Sequence, residues 1–294
     1  MLQAKTIVTV PARNEARFIQ ETLTALASQS YEDFKVLIAD NASDDGTSKI
    51  CKSFANEDDR FVYWRHDRNM GAASNFEYCL KQTDSEYFMW CGAHDIVSNN
   101  FLERTVNLLD QNIDASIAFG DRIWIDTESM DMVTRIIDRR NDYIYEFSRR
   151  PCVRYLQSLC RLRECTIVNG LLRREHMDGV VFYPVKGGDH IILSRILWRG
   201  GVMYDFEAQY KRRHFEYRRE SQEERIAGGS EIRCGDYEGL VDSYAGDARL
   251  LVELGFPNNR LIHFLIRRIV TGRFIGGTDR YLYKFVSAVL RGTY

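Results

Sequence analysis

The 294-residue chain lacks several features that would settle its class at once. No stretch reaches about 18 uninterrupted apolar residues, so no membrane-spanning helix is expected. The opening run, MLQAKTIVTVPARNE, holds too short an apolar segment for a secretory signal. No G-x-G-x-x-G follows the first strand-like run and no Walker sequence occurs. Dinucleotide and P-loop readings, and with them an unrelated Rossmann-like oxidoreductase, lose most of their support. Cysteine occurs seven times (51, 79, 91, 152, 160, 165 and 234) but never as C-x-x-C. An odd number without paired spacing reads as free thiols in a reducing cytoplasm. Charge of one sign is also missing: a net charge of −2 argues against a nucleic-acid partner held by bulk positive charge. No internal repeat or low-complexity tract is visible.

What is present is ordinary for a globular protein, with 45% hydrophobic and 28% charged residues. That balance excludes disorder of the whole chain. At this length roughly 75% of the unfolded surface is buried on folding, so no disulfide or metal staple is required.

Short β-branched or aromatic runs at 6–10, 34–39, 61–65 and 86–91 alternate with helical spacing near 18–27, 47–55, 72–82 and 99–111. Pro11 is expected to end the first strand. This alternation predicts βαβ units and a mostly parallel sheet, an α/β fold. Ligands of such sheets bind beyond the carboxyl ends of the strands, and the polar clusters 11–15, 40–47 and 92–95 all fall there. Beyond 112 the spacing predicts strands at 115–125 and 131–137, a helix at 151–163 and a strand at 166–173. A helix at 189–199 stopped by Gly200-Gly201, a strand near 203–214 and several helices after 219 follow. Ala227-Gly228-Gly229-Ser230 reads as a linker. The chain is therefore divided into 1–112, 113–227 and 228–294.

Asp40 stands where a buried strand ends. Its carboxylate can accept a hydrogen bond from a nucleobase or a ribose hydroxyl, or it can shape an Asx turn. Asp45-Gly46-Thr47 has the form of a turn feeding a helix.

The segments VPARNEARFIQETLTALASQS, IADNASDDGT, RNMGAASN and MWCGAHDIVSNNFLE occur in that order. Together they resemble the N-terminal half of inverting family 2 glycosyltransferases. The resemblance is good over about residues 5–105 and looser to about 220. It implies a GT-A fold: a Rossmann-like, mostly parallel sheet with flanking helices, a mixed-strand acceptor half and C-terminal helices. It implies transfer of a sugar from a nucleotide-sugar donor, UDP-linked by preference, to a glycan or lipid-linked acceptor. On this resemblance 1–112 holds the nucleotide sugar and 113–227 the acceptor and the base. Pro11, Ala12, Arg13 and Glu15 would line the nucleotide pocket and Asp40 would hold the base. Arg68 and Asn69 would lie near ribose or phosphate, and Gly71 would let the backbone approach. Asp45 would shape its loop.

The metal motif departs from the family pattern. Where Asp-x-Asp or Asp-x-Asp-Asp is usual, this chain has Gly92, His94 and Asp95. A diphosphate-bridging Mn²⁺ or Mg²⁺ wants hard oxygen ligands, which only Asp95 supplies, and an imidazole favours Mn²⁺ over Mg²⁺. A homologue that binds sugar nucleotide without turnover is the alternative, and packing or capping is the plainer role for His94. Asp189, opening a helix after Gly187-Gly188, would deprotonate the acceptor; its plainer role is to cap that helix. In Tyr210-Lys211-Arg212-Arg213-His214, Arg212 and His214 would share a strand face and reach the diphosphate, with His214 also a metal ligand. The plainer alternative is a solvated basic strand.

Residues 260–294 carry seven Lys/Arg and one acidic residue, interleaved with apolar residues at helical spacing. Such a basic amphipathic tail suits the surface of an anionic membrane, placing the protein in the cytoplasm on the inner face of the cell membrane. The plainer alternative is packing on the catalytic domain or on a second copy, as in a homodimer.

Overall fold

The computed structural model describes residues 1–132, 144–215, 237–250, 252 and 260–291. The first half comprises β1 (Leu2–Gln3), β2 (Thr6–Ala12), α1 (Ile19–Ala27), β3 (Phe34–Asp40), α2 (Thr47–Glu57) and β4 (Phe61–Arg65). It continues with α3 (Ala72–Lys81), β5 (Thr83–Asp84), β6 (Tyr87–Trp90), β7 (Ile96–Val97) and α4 (Phe101–Gln111). The second half holds β8 (Ala115–Ile125), α5 (Pro151–Arg161), β9 (Leu171–Arg173), α6 (Gly188–Arg199) and β10 (Gly201–Arg213). Three helices follow: α7 (Tyr237–Leu250), α8 (Arg260–Phe274) and α9 (Asp279–Arg291).

One eight-stranded sheet runs β4-β3-β2-β6-β9-β8-β10-β7. β4, β3, β2 and β6 are mutually parallel, while β9 is antiparallel to both its neighbours. β8 and β10 are parallel, and β7 lies antiparallel on the edge of β10. β1 and β5 form a separate parallel pair. Strands β2 and β3 are buried along almost their whole length, as expected where helices cover both faces of a parallel sheet.

Pro11 does not end β2. The strand runs on to Ala12, whose register partner is Asp40. Thr9 accepts from Cys91 N–H on the β6 side, and Ala12 accepts from Asn41 N–H on the β3 side. Alternation turns Pro11 toward β6, which has stopped at Trp90, so its missing donor interrupts no ladder.

The expected strand at 166–173 divides in two. Thr166–Asn169 is a 3₁₀ turn, and only Leu171–Arg173 pairs in the sheet. Gly170 joins them where a Cβ would lie 2.6 Å from Ala118 O. Of the second expected strand at 131–137, Asp131 bridges Ile125, and residues from 133 lie outside the described residues. The Ala227–Ser230 linker and Cys234 also lie outside them. The other six cysteines are free thiols.

Two apolar cores meet at α6. Ile192, Leu193, Ile196 and Leu197 belong to the core under the sheet. Ile191 and Trp198 belong to a second core built with α5, α7, α8 and α9 through Tyr155, Leu159, Leu240, Tyr244, Ile266 and Ile269. Every residue from Ile191 to Trp198 is buried, which marks a helix enclosed on all sides. The buried Arg154 of α5 donates to Leu197 O and Trp198 O, satisfying carbonyls at the C-terminus of α6. No helix among the described residues is long and apolar enough to cross a membrane.

β8 and β10 approach closely at Gly120, where a Cβ would lie 2.2 Å from Ala208 O. Gly120→Ala is expected to force these strands apart at a cost of about 1–3 kcal/mol. Urea unfolding checks this; an unchanged midpoint would contradict the close approach.

Candidate functional site

The loops leaving β2, β3 and β4 are stitched to one another. Arg13 Nη1 donates to Asn41 O and Ala42 O, both at 3.1 Å. Asn41 Nδ2 donates to Asn69 Oδ1 at 2.8 Å, and its Oδ1 accepts from Met70 N–H. Gly71, at φ +82, opens α3 in a conformation that L side chains rarely adopt. Asp45 accepts from Thr47 N–H in the first turn of α2 and from Ala16 N–H in the β2–α1 loop, shaping both.

Asp40 is fully buried. It accepts from Ser43 N–H at 2.9 Å, Ser48 Oγ at 2.5 Å and Tyr63 OH at 2.7 Å, with Arg65 Nε 3.6 Å away. Burial raises its pKa, but the donors from Ser43, Ser48 and Tyr63 outweigh that and hold the carboxyl below its ordinary range.

Next to these loops lies a cavity of about 560 Å³. Ala72 and Ala73 of α3 form one side, and Trp90, Gly92, His94 and Asp95 follow from β6. The facing side is built by Arg163–Thr166, Asn169, Phe182, Asp189, His190, Arg212 and, from the C-terminal helices, Phe274.

Asp95 is anchored to β10. Its Oδ2 accepts from Tyr210 OH at 2.7 Å and its Oδ1 from Arg213 N–H at 2.9 Å. Tyr210 OH also accepts from Asn169 Nδ2 at 2.9 Å. Burial and then the charge of Asp95 push the Tyr210 pKa well up, so this phenol stays a donor. Gly92 leaves the space Asp95 needs: a Cβ there would lie 2.5 Å from Asp95 Oδ2. His94 Nδ1 sits 2.9 Å from Glu15 Oε1, which joins the first loop to the metal-motif loop.

Arg212 faces the cavity over the Trp124 ring, 5.3 Å from its centroid, and donates to Glu164 Oε1 at 2.8 Å. Glu164 also pairs with the buried Arg122. Arg213 points to the opposite side, as alternation requires, and binds His94 O, Asp126 O and Glu21. Asp189 stands exposed in the first turn of α6, just after Gly187 at φ +80.

Of the expected site residues, Asp95, His94, Asp189 and Arg212 line one cavity. Glu15 reaches it through His94, and Arg13, Asn69 and Gly71 form the adjoining loop network. Pro11 and Ala12 end β2 beside that network, and Arg68 precedes Asn69 in its loop. Two expected residues lie outside the lining of this cavity. Asp40 does not open on the cavity, because its oxygens face internal donors. His214 does not line the cavity either: β10 ends at Arg213, His214 N–H bonds to Ile125 O, and its ring stands edge-on to Trp124 at 5.8 Å. Glu164, Asn169 and Tyr210 were not foreseen in these roles. Tyr210 was within reach of the strand alternation that selected Arg212, whereas nothing local singles out Glu164 or Asn169.

The description Glycosyl transferase family 2 matches residues 7–172, more than half of the chain. The chain belongs to glycosyl transferase family 2. A Rickettsia typhi protein named as an uncharacterized glycosyltransferase is 26% identical over 104 residues, covering 35% of this chain and 31% of that protein. The matched segments thus span 31%, 17% and 38% of three curated relatives. Staphylococcus aureus TarS residues 1–349 in complex with UDP-GlcNAc superposes with a TM-score of 0.62 at 16% identity, over 92% of this chain and 71% of that one. The Pyrobaculum calidifontis mannosyltransferase PcManGT with GDP-Man and Mn²⁺ superposes at 0.54 and 15% identity, over 99% and 86%. The family 2 chain therefore has the α/β GT-A fold, with the mixed sheet and helices described above.

Asp40→Asn is expected to cost about 1–3 kcal/mol at neutral pH, since three donors lose an ionised acceptor. The wild-type carboxyl titrates below its ordinary 3.8, so its contribution is complete above about pH 4 and is lost as pH falls through the folded-state value. Denaturation curves should show the two proteins converging below pH 4; a gap that widens with acid contradicts the assignment.

Proposed function

We propose that this family 2 protein transfers a sugar from a nucleotide-sugar donor to a hydroxyl of a glycan or lipid-linked acceptor, with inversion at the anomeric carbon. The observation that carries the reading is one cavity lined by Asp189 on α6, Asp95 after β6 and Arg212 on β10. Family membership supports glycosyl transfer, and the UDP-GlcNAc and GDP-Man of the two structural neighbours support a nucleotide-sugar donor, with UDP preferred.

In a single displacement, Asp189 takes the proton of the acceptor hydroxyl. The oxygen attacks the anomeric carbon, and the bond from that carbon to the diphosphate breaks on the opposite face. The nucleoside diphosphate departs with the bonding electrons, and Arg212 offers charge-assisted hydrogen bonds to it. Phe76, Trp90 and Phe182 give the cavity apolar walls against which sugar faces can pack.

The donor set at 92–95 fits a divalent cation. Each oxygen of Asp95 accepts one hydrogen bond and keeps further lone-pair capacity. The adjacent His94 tilts the preference from Mg²⁺ toward Mn²⁺. Asp95, with His94, would hold the ion, which when bound neutralises charge on the diphosphate.

The C-terminal helices support placement on an anionic membrane. Leu261, Phe264, Tyr281, Phe285 and Val289 are exposed on helices that also expose Lys284 and Arg267, the latter paired with Asp242, while Asp279 is buried against Arg268. Phe274 of the same helices walls the cavity, which suits a lipid-linked acceptor.

Asp189→Asn should lower transfer by about 10²–10⁴-fold while calorimetric donor affinity stays nearly constant. Near-full transfer would remove Asp189 from the role of base. Phe264→Glu with Phe285→Glu should abolish cosedimentation with anionic vesicles. If the wild type instead ignores vesicles and forms dimers that this double variant breaks, the face is a subunit interface.

A further inference from the structure

A second set of metal-ligating side chains meets on the acceptor side of the cavity. One donor atom each from Cys165, Asp189 and His190 lies within 4.8 Å of the other two. The set shares no residue with His94 and Asp95. Two structural elements converge to make it. Cys165 directly precedes the 3₁₀ turn at Thr166–Asn169, and Asp189 and His190 open α6 after the left-handed Gly187.

The chemistry of the set is unlike that of the diphosphate site. One sulfur, one imidazole and one carboxylate form a borderline-soft trio that suits Zn²⁺. Tetrahedral zinc, with bonds of about 2.0–2.3 Å, holds its donors about 3.5 Å apart, so contraction by about 1 Å closes the set. Three protein ligands would leave a fourth position open, as in zinc sites that retain a water. A separate observation points the same way. His190 Nδ1 is buried and has no hydrogen-bond partner among the described residues. A buried, unpaired ring nitrogen beside a thiol and a carboxylate is costly unless something coordinates it. Arg273, the neighbouring cation, is turned away onto Leu159 O and Leu162 O.

We propose that Cys165, Asp189 and His190 form an inhibitory zinc site that captures the carboxylate serving as catalytic base. Zinc binding replaces the thiol proton of Cys165 with a metal–sulfur bond and releases that proton to solvent. It also occupies Asp189, so no acceptor hydroxyl can be deprotonated. The inhibition rests on the reading of Asp189 as base; the binding of metal does not.

Two readouts separate these statements. Titrated with Co²⁺ alone, the full chain should take up one ion with the near-ultraviolet charge-transfer band of a cobalt–thiolate bond. Cys165→Ser should remove that band, and His190→Gln should weaken its apparent affinity by at least about tenfold. With Mn²⁺ supplied, wild-type transfer should fall as stoichiometric Zn²⁺ is added and return with chelator, and each variant should need at least about tenfold more zinc relative to its own starting rate. A missing band, or one that persists unchanged in Cys165→Ser, overturns the site. A normal band with transfer indifferent to zinc overturns the inhibition, and an active Asp189→Asn then identifies the base assignment as the failed premise.

Discussion

The carboxylate of Asp95 joins the two halves of the sheet, and the geometry of the cavity depends on it. Tyr210 OH and the Arg213 backbone N–H both converge on it from β10. These charge-assisted bonds are stronger than bonds between neutral partners and have almost no water competing for them, since Asp95 is 2% exposed. They set the end of β10, and with it the side on which Arg212 emerges. Arg213, one residue on, then locks the other face by gripping His94 O and Glu21. A single buried charge thus aligns the loop after β6 with a strand more than a hundred residues later.

The helix that carries Asp189 is held differently. Its polar tip reaches the cavity, but its body is apolar on every side and is shared by two cores. The C-terminal helices are therefore part of what fixes the tip, and Phe274 brings them to the cavity wall.

Much of this was legible in the chain. The runs that became β2, β3 and β6 are continuous apolar segments whose burial on two faces leaves little choice of structure. The clusters after them fell at the sheet's carboxyl edge, where parallel strands open. Local spacing was a poorer guide where tertiary contacts decide. Pro11 stays in β2 because its neighbour strand has already ended, and the stretch 166–173 breaks because Gly170 must pass against Ala118 O. Asp40 has the composition of a ligand-binding residue, yet Ser43, Ser48 and Tyr63 enclose it; the Asx turn to Ser43 was legible locally, whereas Tyr63 comes from the next strand and leaves no local trace. Glu164 and Asn169 carry no periodic or motif signal, because their neighbours come from β8 and β10.

The space above Gly92 is already taken by Asp95 Oδ2, which lies 2.5 Å from where a Cβ would stand. A side chain at that position would press on Asp95 and shift its carboxylate between Tyr210 and Arg213. A carboxylate introduced at position 92 would therefore come at the expense of the hydrogen bonds that seat Asp95.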